Sequence, residues 1–177
     1  MLGKLLIALM LMLSVASATV PEMTTETLGP YFISVPSALD GRAVTHGPEH
    51  GLTSEGLKSS HYYVILNGVP YGDYPPTTII NVYNTPGLDN ATDTEDELRA
   101  EMIENGCDPL MIVTEAMTID NHPAVVGSSK NAECGPKQLF YMGSYALSND
   151  TSVSFSIWGD WTEISLLRDN LHVALTK

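Results

Sequence analysis

Two histidines and a glutamate fall within five residues of the chain, in the segment HGPEH at residues 46–50. Imidazole and carboxylate groups are ligands for divalent metals, and the nearby His61 or an acidic side chain would complete a coordination shell. The glycine and proline inside the segment argue against a helix, so the spacing does not align the two imidazoles on one helical face. The segment is therefore interpreted as a polar loop with histidines that face water. No metal site is assigned, and His46, Glu49 and His50 are weak candidates for metal ligands.

Other patterns that carry chemistry are weaker. Asp89, Asp93 and the acidic residues 95–97 suggest calcium, but the run lacks the sixth-position glycine and the terminal glutamate spacing of an EF-hand loop. Helix capping accounts for several of these acids. The sequence has neither a G-x-S-x-G nucleophile elbow nor a G-x-x-x-x-G-K-[ST] phosphate loop, and a triad assembled only in three dimensions stays open. No catalytic residue and no cofactor are assigned.

Tyrosines are the third group of candidates, since a phenol combines a flat apolar face with a polar tip. Core and edge packing explain Tyr62 and Tyr63 equally well. Tyr71 and Tyr74 lie in a connector rich in proline and glycine, where exposure is expected. We therefore predict that Tyr71 and Tyr74, together with residues 36–59, form a surface that contacts a protein or a sugar.

The first eighteen residues have the pattern of a secretory signal peptide. Lys4 gives a positive start, residues 5–13 form an apolar run, and Ala16 and Ala18 are small residues at the positions that signal peptidase reads. The run is shorter than the about 20 apolar residues that a transmembrane helix needs. Cleavage after Ala18 and export to the cell envelope or the medium are predicted, without stable membrane insertion afterwards. An uncleaved membrane anchor is the alternative.

Export changes the interpretation of the two cysteines, Cys107 and Cys134. In an oxidising compartment a pair of cysteines most simply forms one disulfide. A bridge of this loop length contributes roughly 3–4 kcal/mol in the chain-entropy description. A redox or nucleophilic pair is the alternative, but the C-x-x-C spacing is missing. Asn90 and Asn149 begin sequons in polar, turn-like stretches and are candidates for glycosylation.

The composition excludes several classes of function. The 177 residues include 8 Lys and Arg against 21 Asp and Glu, a formal net charge of −13. A surface this acidic repels phosphate groups, which argues against nucleic-acid binding and against binding to anionic lipids. Hydrophobic residues make up 44% of the chain, enough for a folded core.

Periodicity and capping predict the elements that position these residues. Thr94 and Glu97 have capping-box spacing and predict a helix over residues 94–105, and Asp160 and Glu163 predict a terminal helix in the same way. Residues 36–59 are interpreted as a long loop or an irregular strand pair. The short turns between the later strands predict antiparallel neighbours. Strands are predicted at 31–35, 61–66, 77–83, 112–119, 124–130, 138–147 and 151–158, with serine alternating with apolar residues in the last of them.

Three features of this order belong together: an opening strand after the LGPY pattern at residues 28–31, the acidic helix over residues 94–105, and the WGDW pattern at residues 158–161 before a C-terminal helix. In these features the chain resembles the PsbP-like superfamily, in particular its small exported archaeal members. The resemblance implies an α+β fold, in which an antiparallel sheet of about six to seven strands is sandwiched between helices (α-β-α). It also implies a role in binding or in assembly onto complexes, and no residue inherits a catalytic role from it.

The expected organisation is a signal peptide over residues 1–18, an N-terminal tail over residues 19–27 and a single domain over residues 28–177. The expected function is that of an exported, non-catalytic binding or accessory module of the cell envelope with a protein partner. The alternative is a divalent-metal-binding protein or metal-dependent enzyme that uses His46, Glu49 and His50.

Overall fold

The computed structural model describes residues 20–39, 43–67, 77–87, 93–130 and 139–176, so the predicted signal peptide lies outside the described residues. The α-helices are α1 (Glu95–Glu104) and α2 (Trp161–Asn170), and a short 3-10 turn covers Ser37–Leu39. The strands are β1 (Met23–Leu28), β2 (Tyr31–Pro36), β3 (Ala43–Leu52), β4 (Lys58–Asn67), β5 (Thr77–Asn84), β6 (Val113–Ile119), β7 (His122–Lys130), β8 (Leu139–Ser148), β9 (Thr151–Gly159) and β10 (His172–Leu175).

The strands form two antiparallel sheets. The larger sheet has the order β3-β4-β5-β9-β8-β7-β6, and the smaller has the order β1-β2-β10. Short turns connect β6 to β7 and β8 to β9, as the sequence predicts. β5 pairs with β9, which joins the first three strands of the larger sheet to the last four.

The inner face of the larger sheet packs against the smaller sheet and α2. Apolar side chains from Val64 on β4 to Tyr145 on β8 form one buried cluster with Ile33 of β2 and Ile164 of α2. Because successive strand residues point to opposite faces, the serines that alternate with these apolar residues in β9 lie on the outer face. The small, polar face predicted for this strand is therefore confirmed.

The predicted α+β class, with a sheet sandwiched between helices, is wrong because the molecule is mainly β. A second sheet takes much of the place that the prediction gave to a helical layer. All but the last residue of β1 lies in residues 19–27, where the sequence predicts a tail, and β10 follows α2 where no strand is predicted. β1 pairs with β2 through a two-residue turn but has no apolar face to mark it as a strand, and β10 is a four-residue strand that pairs with β2 from far along the chain. None of the helices in the described part of the chain has the length and apolar character needed to cross a membrane.

A buried carboxylate joins the two sheets. Asp120 lies in the turn between β6 and β7, and its side chain is 5% exposed. Its Oδ1 lies 2.6 Å from His172 Nδ1, and its Oδ2 accepts hydrogen bonds from the Val173 N–H at 2.9 Å and the Tyr145 hydroxyl at 3.2 Å. Burial and the Asp120 charge raise the pKa of Tyr145, so this phenol stays protonated as a donor. The carboxylate thereby connects β10 of the smaller sheet to β8 of the larger one.

The outer face of the larger sheet is covered by α1 over only part of its width. The predicted capping box is confirmed, since the Glu97 N–H donates to Thr94 Oγ1 at 3.2 Å and the Thr94 N–H donates to Glu97 Oε2 at 2.7 Å. Leu98 and Met102 are buried beneath the helix, close to Gly127 of β7, where any Cβ would collide with the Met102 sulfur. α1 contacts mainly β7 and β6. The outer face of β3, β4, β5 and β9 carries side chains that remain partly exposed.

Candidate functional site

A groove lies on the outer face of β9, between α1 and β5. Small serine side chains form its floor, because serine occupies every outward position from residue 152 to residue 156. The groove contains a cavity of about 210 Å³. We call it the serine groove, and its lining includes Ile79, Asn81, Glu101, Asn105, Phe140, Met142, Ser154, Ser156 and Trp158.

Four rings form a continuous stack on the neighbouring strands. His46 stacks on Tyr63 with ring centroids 4.7 Å apart, Tyr63 stacks on His61 at 5.0 Å, and His61 stacks on Tyr83 at 4.3 Å. Strand register explains the order, since His46 is paired with Tyr63 across β3 and β4, and His61 with Tyr83 across β4 and β5. We call this row the His–Tyr stack. It alternates imidazoles with phenols and forms the side of the open face away from α1.

A β-bulge in β3 brings Glu49 onto the same face as His46. The register changes between the pair His46–Tyr63 and the pair Glu49–His61, which inserts one extra residue into β3. Gly47 lies in this bulge with a φ of 113°. A Cβ at this position would lie 2.8 Å from the His61 carbonyl oxygen, so the close approach of the strands requires a glycine.

Hydrogen bonds connect the His–Tyr stack to the serine groove. Asn81 Nδ2 donates to Ser154 Oγ at 3.3 Å, which leaves Asn81 Oδ1 to accept from His61 Nε2–H at 3.0 Å. His61 Nδ1 faces Glu49 Oε2 at 3.8 Å, and the Tyr63 hydroxyl donates to Glu49 Oε1 at 3.4 Å. The His61 ring is therefore held in one orientation between an amide and a carboxylate.

In the described part of the chain, the charges that act on Glu101 and on the nearby Tyr83 are negative. Desolvation raises the pKa of Glu101, and the neighbouring charges of Asp93 and Glu104 raise it further. Desolvation also raises the pKa of Tyr83, followed by the charges of Glu101, Asp93 and Glu49. Glu101 is the carboxylate that lines the groove, and the charges of Asp93, Glu104 and Glu49 act on it or on the neighbouring Tyr83; this field favours a positively charged occupant.

The single cationic residue of α1 is engaged elsewhere. Arg99 donates to the carbonyl oxygen of Ile112 at 3.2 Å and to the carbonyl oxygen of Pro109. Both acceptors lie in the segment between α1 and β6. Arg99 therefore holds this connection in place and forms no ion pair with Glu101.

The structure brings only some of the predicted metal candidates together. Residues 46–50 belong to β3, so of the two interpretations of residues 36–59 the irregular strand pair is the one observed. His46 and Glu49 share the outer face with His61, whereas His50 faces the other way and contacts Ser60 Oγ at 3.1 Å. Across the described ranges, no group of three or more His, Cys, Asp or Glu side chains is placed to hold a metal ion.

The remaining predicted surface residues are mostly outside the described part of the chain. Tyr71, Tyr74 and Asn90 all lie outside the described residues. Asn149 is exposed in the turn between β8 and β9. Its glycosylation stays a prediction.

Cys107 is a buried free thiol in the structure. Burial raises its pKa, and a hydrogen bond with the Ser129 side chain acts in the opposite direction. Cys134 lies outside the described residues. The disulfide between the two cysteines is not observed at Cys107 and stays a prediction.

Sequence reasoning missed most residues of the serine groove and also Tyr83 of the His–Tyr stack. Asn81, Tyr83 and Glu101 were not among the candidates, although the first two share a face of β5 through simple alternation. The pairing of β5 with β9 sets Asn81 beside Ser154, and no local pattern reports that pairing. The sequence pattern that could have indicated this surface is the recurrence of polar and aromatic residues at every second position of β4, β5 and β9.

Comparisons of the chain with protein-family models, with curated proteins and with solved structures found no match. They therefore give no support to the resemblance to the PsbP-like superfamily.

Proposed function

We propose that the protein is an exported, non-catalytic binding module that contacts a protein partner through the serine groove and the His–Tyr stack. The observation that carries the proposal is the open part of the outer face, where polar and aromatic side chains line a groove beside α1. These side chains stand on paired strands that fix their positions before any partner arrives. Such pre-organisation lowers the entropy cost of association.

The contacts of the imidazoles support binding over catalysis. His61 is hydrogen-bonded to Asn81, and the Ser154 hydroxyl near it accepts from Asn81 rather than donating to a histidine. His50 does contact the Ser60 hydroxyl, but among the described residues no carboxylate bonds to His50 to complete a triad. A binding function needs no such triad.

The test measures how much of a bound partner protein is recovered together with wild-type protein and with variants of the groove. Full-length protein is recovered from its native host as wild type, as Ser154→Phe, which fills the groove floor, and as Thr118→Phe, a control on an exposed position of β6. The expected result is a protein retained by the wild type and the control but lost from Ser154→Phe. Equal retention by all three would contradict the proposal.

Loss of the partner from Ser154→Phe could also result from a folding defect in that variant. Circular dichroism and thermal melting therefore accompany each capture, and Asn105→Phe gives a second obstruction from the exposed end of α1 that leaves the sheet unchanged. Loss of the partner from both groove variants, each with a normal melting curve, is expected.

The location of the protein is part of the proposal and rests on the pattern in residues 1–18. The intact mass of protein recovered from the host should correspond to a chain that begins at Thr19. A mass that includes residues 1–18 would instead support the uncleaved anchor.

A further inference from the structure

We propose, on the basis of the proposed function, that the serine groove receives a lysine or arginine side chain of the protein partner. Three properties of the groove support this occupant: its size, the division of its lining into apolar and polar parts, and the sign of the surrounding charges. Each property restricts the chemistry of the occupant independently.

The size of the groove fits one side chain. Its cavity of about 210 Å³ is smaller than the about 300–1,000 Å³ typical of sites for drug-sized ligands. The serine floor gives this depth, because larger residues at Ser154 or Ser156 would fill it. A cofactor-sized molecule would not be enclosed.

The lining fits an occupant with an apolar stem and a polar head. Ile79, Phe140 and Trp158 present apolar surface, whereas Glu101 and Asn105 present a carboxylate and an amide from α1. Lysine and arginine have this character, because their aliphatic stems pack on apolar surface while the charged head stays among polar groups. A short acidic or purely apolar side chain would leave one part of the lining without a partner.

The charges select a cation. Glu101 lies on the α1 wall, Asp93 and Glu104 lie near it, and Glu49 lies beyond Tyr83 on the side of the His–Tyr stack. A cationic head beside Glu101 would relieve the repulsion among these carboxylates. Charge complementarity of this kind also accelerates association with a basic partner.

The experiment uses short peptides and the full-length, ¹⁵N-labelled protein. The probes are acetyl-Gly-Lys-Gly-amide, acetyl-Gly-Arg-Gly-amide, the same tripeptide with norleucine in place of lysine, and free putrescine. Concentrations up to about 10 mM detect dissociation constants in the millimolar range. Amide shifts of Ser154, Ser156 and Asn105 report occupation of the groove.

The lysine and arginine peptides are expected to shift these amides, and the norleucine peptide is not. Glu101→Gln should weaken the binding about two- to fivefold, the usual effect of one exposed charge pair, whereas Glu55→Gln in the β3–β4 turn should leave it unchanged. Added salt should weaken the binding as well.

Three outcomes would overturn the inference: equal shifts with norleucine, no groove shifts with any peptide at the highest concentration, or putrescine binding at least about tenfold tighter than both peptides. The last would indicate a site for free amines. None of these would by itself remove the proposed function, because the capture by Ser154→Phe and Thr118→Phe tests the groove without reference to charge. Retention of the partner by Ser154→Phe would remove both proposals.

Discussion

Replacing Asp120 by alanine should reduce the free energy of unfolding by about 3–5 kcal/mol, because two buried hydrogen-bond donors lose their acceptor. The carboxylate is 5% exposed and lies 2.6 Å from His172 Nδ1. Its loss leaves the Val173 N–H and the Tyr145 hydroxyl without an acceptor, in residues that are 1% and 0% exposed. Each buried donor left unsatisfied costs about 1–3 kcal/mol, which agrees with the total.

Urea unfolding followed by tryptophan fluorescence measures this loss. A change of this size also lowers Tm by about 6–20 °C in a protein of this length. Asp120→Asn is the matched control, because asparagine tolerates the positive φ of 52° and keeps one acceptor oxygen. It should lose about half as much stability. If Asp120→Ala unfolds within about 1 kcal/mol of the wild type, the carboxylate does not hold the sheets together and the reasoning fails.

Three further results are expected. Gly47→Ala should destabilise the fold by about 2–3 kcal/mol in the same urea assay, because the new Cβ meets strand backbone at a strained φ, and a loss below about 1 kcal/mol would contradict this. Glu101→Gln should lower the pKa of Tyr83, because the carboxylate that disfavours the phenolate is gone; ultraviolet titration at alkaline pH measures this, and superimposable curves would be the contrary result. In the reduced protein, Cys107 should react slowly with iodoacetamide in the folded state and rapidly in denaturant, since burial raises the pKa of its thiol; rapid labelling without denaturant would show that the site opens.

Short sequence patterns predicted the helices correctly, because the start of a helix depends on contacts between residues that are close along the chain. The capping boxes at Thr94 and Asp160 lie where spacing indicated them, and the helices that follow begin within one residue of the expected positions. A strand was also expected over residues 138–147, and β8 covers nearly the same residues and lies between β9 and β7, with Phe140 and Tyr141 buried on opposite sides.

The errors lie where pairing is distant along the chain or where a strand has no apolar face. β10 is four residues long and pairs with β2, so Val173 stands opposite Ile33 although 140 residues separate them (173 − 33). A threonine-rich segment such as β1 has no apolar face that would distinguish it from a tail. These two strands supply the second sheet, and without them the sequence indicated a helical layer in its place.

In the candidate site, too, the sequence indicated which residues could matter but not which residues they contact. His46 and Glu49 were weak candidates for metal ligands on the basis of their spacing, and no metal site was assigned. The bulge at Gly47 turns both toward the outer face, where Tyr63 stacks on the one and donates to the other. Residue type was informative, whereas the partners of each side chain depended on strand register.

Site-specific photo-crosslinking in the native host tests most directly whether the serine groove is a protein-binding surface. A photoreactive amino acid is introduced at Asn105, on the α1 rim of the groove, and in a separate variant at Glu55, in the exposed turn between β3 and β4. The account predicts a discrete crosslinked protein from position 105 that is absent from position 55 and lost when Ser154→Phe is added. Adducts that form equally at both positions, or only at position 55, would contradict it.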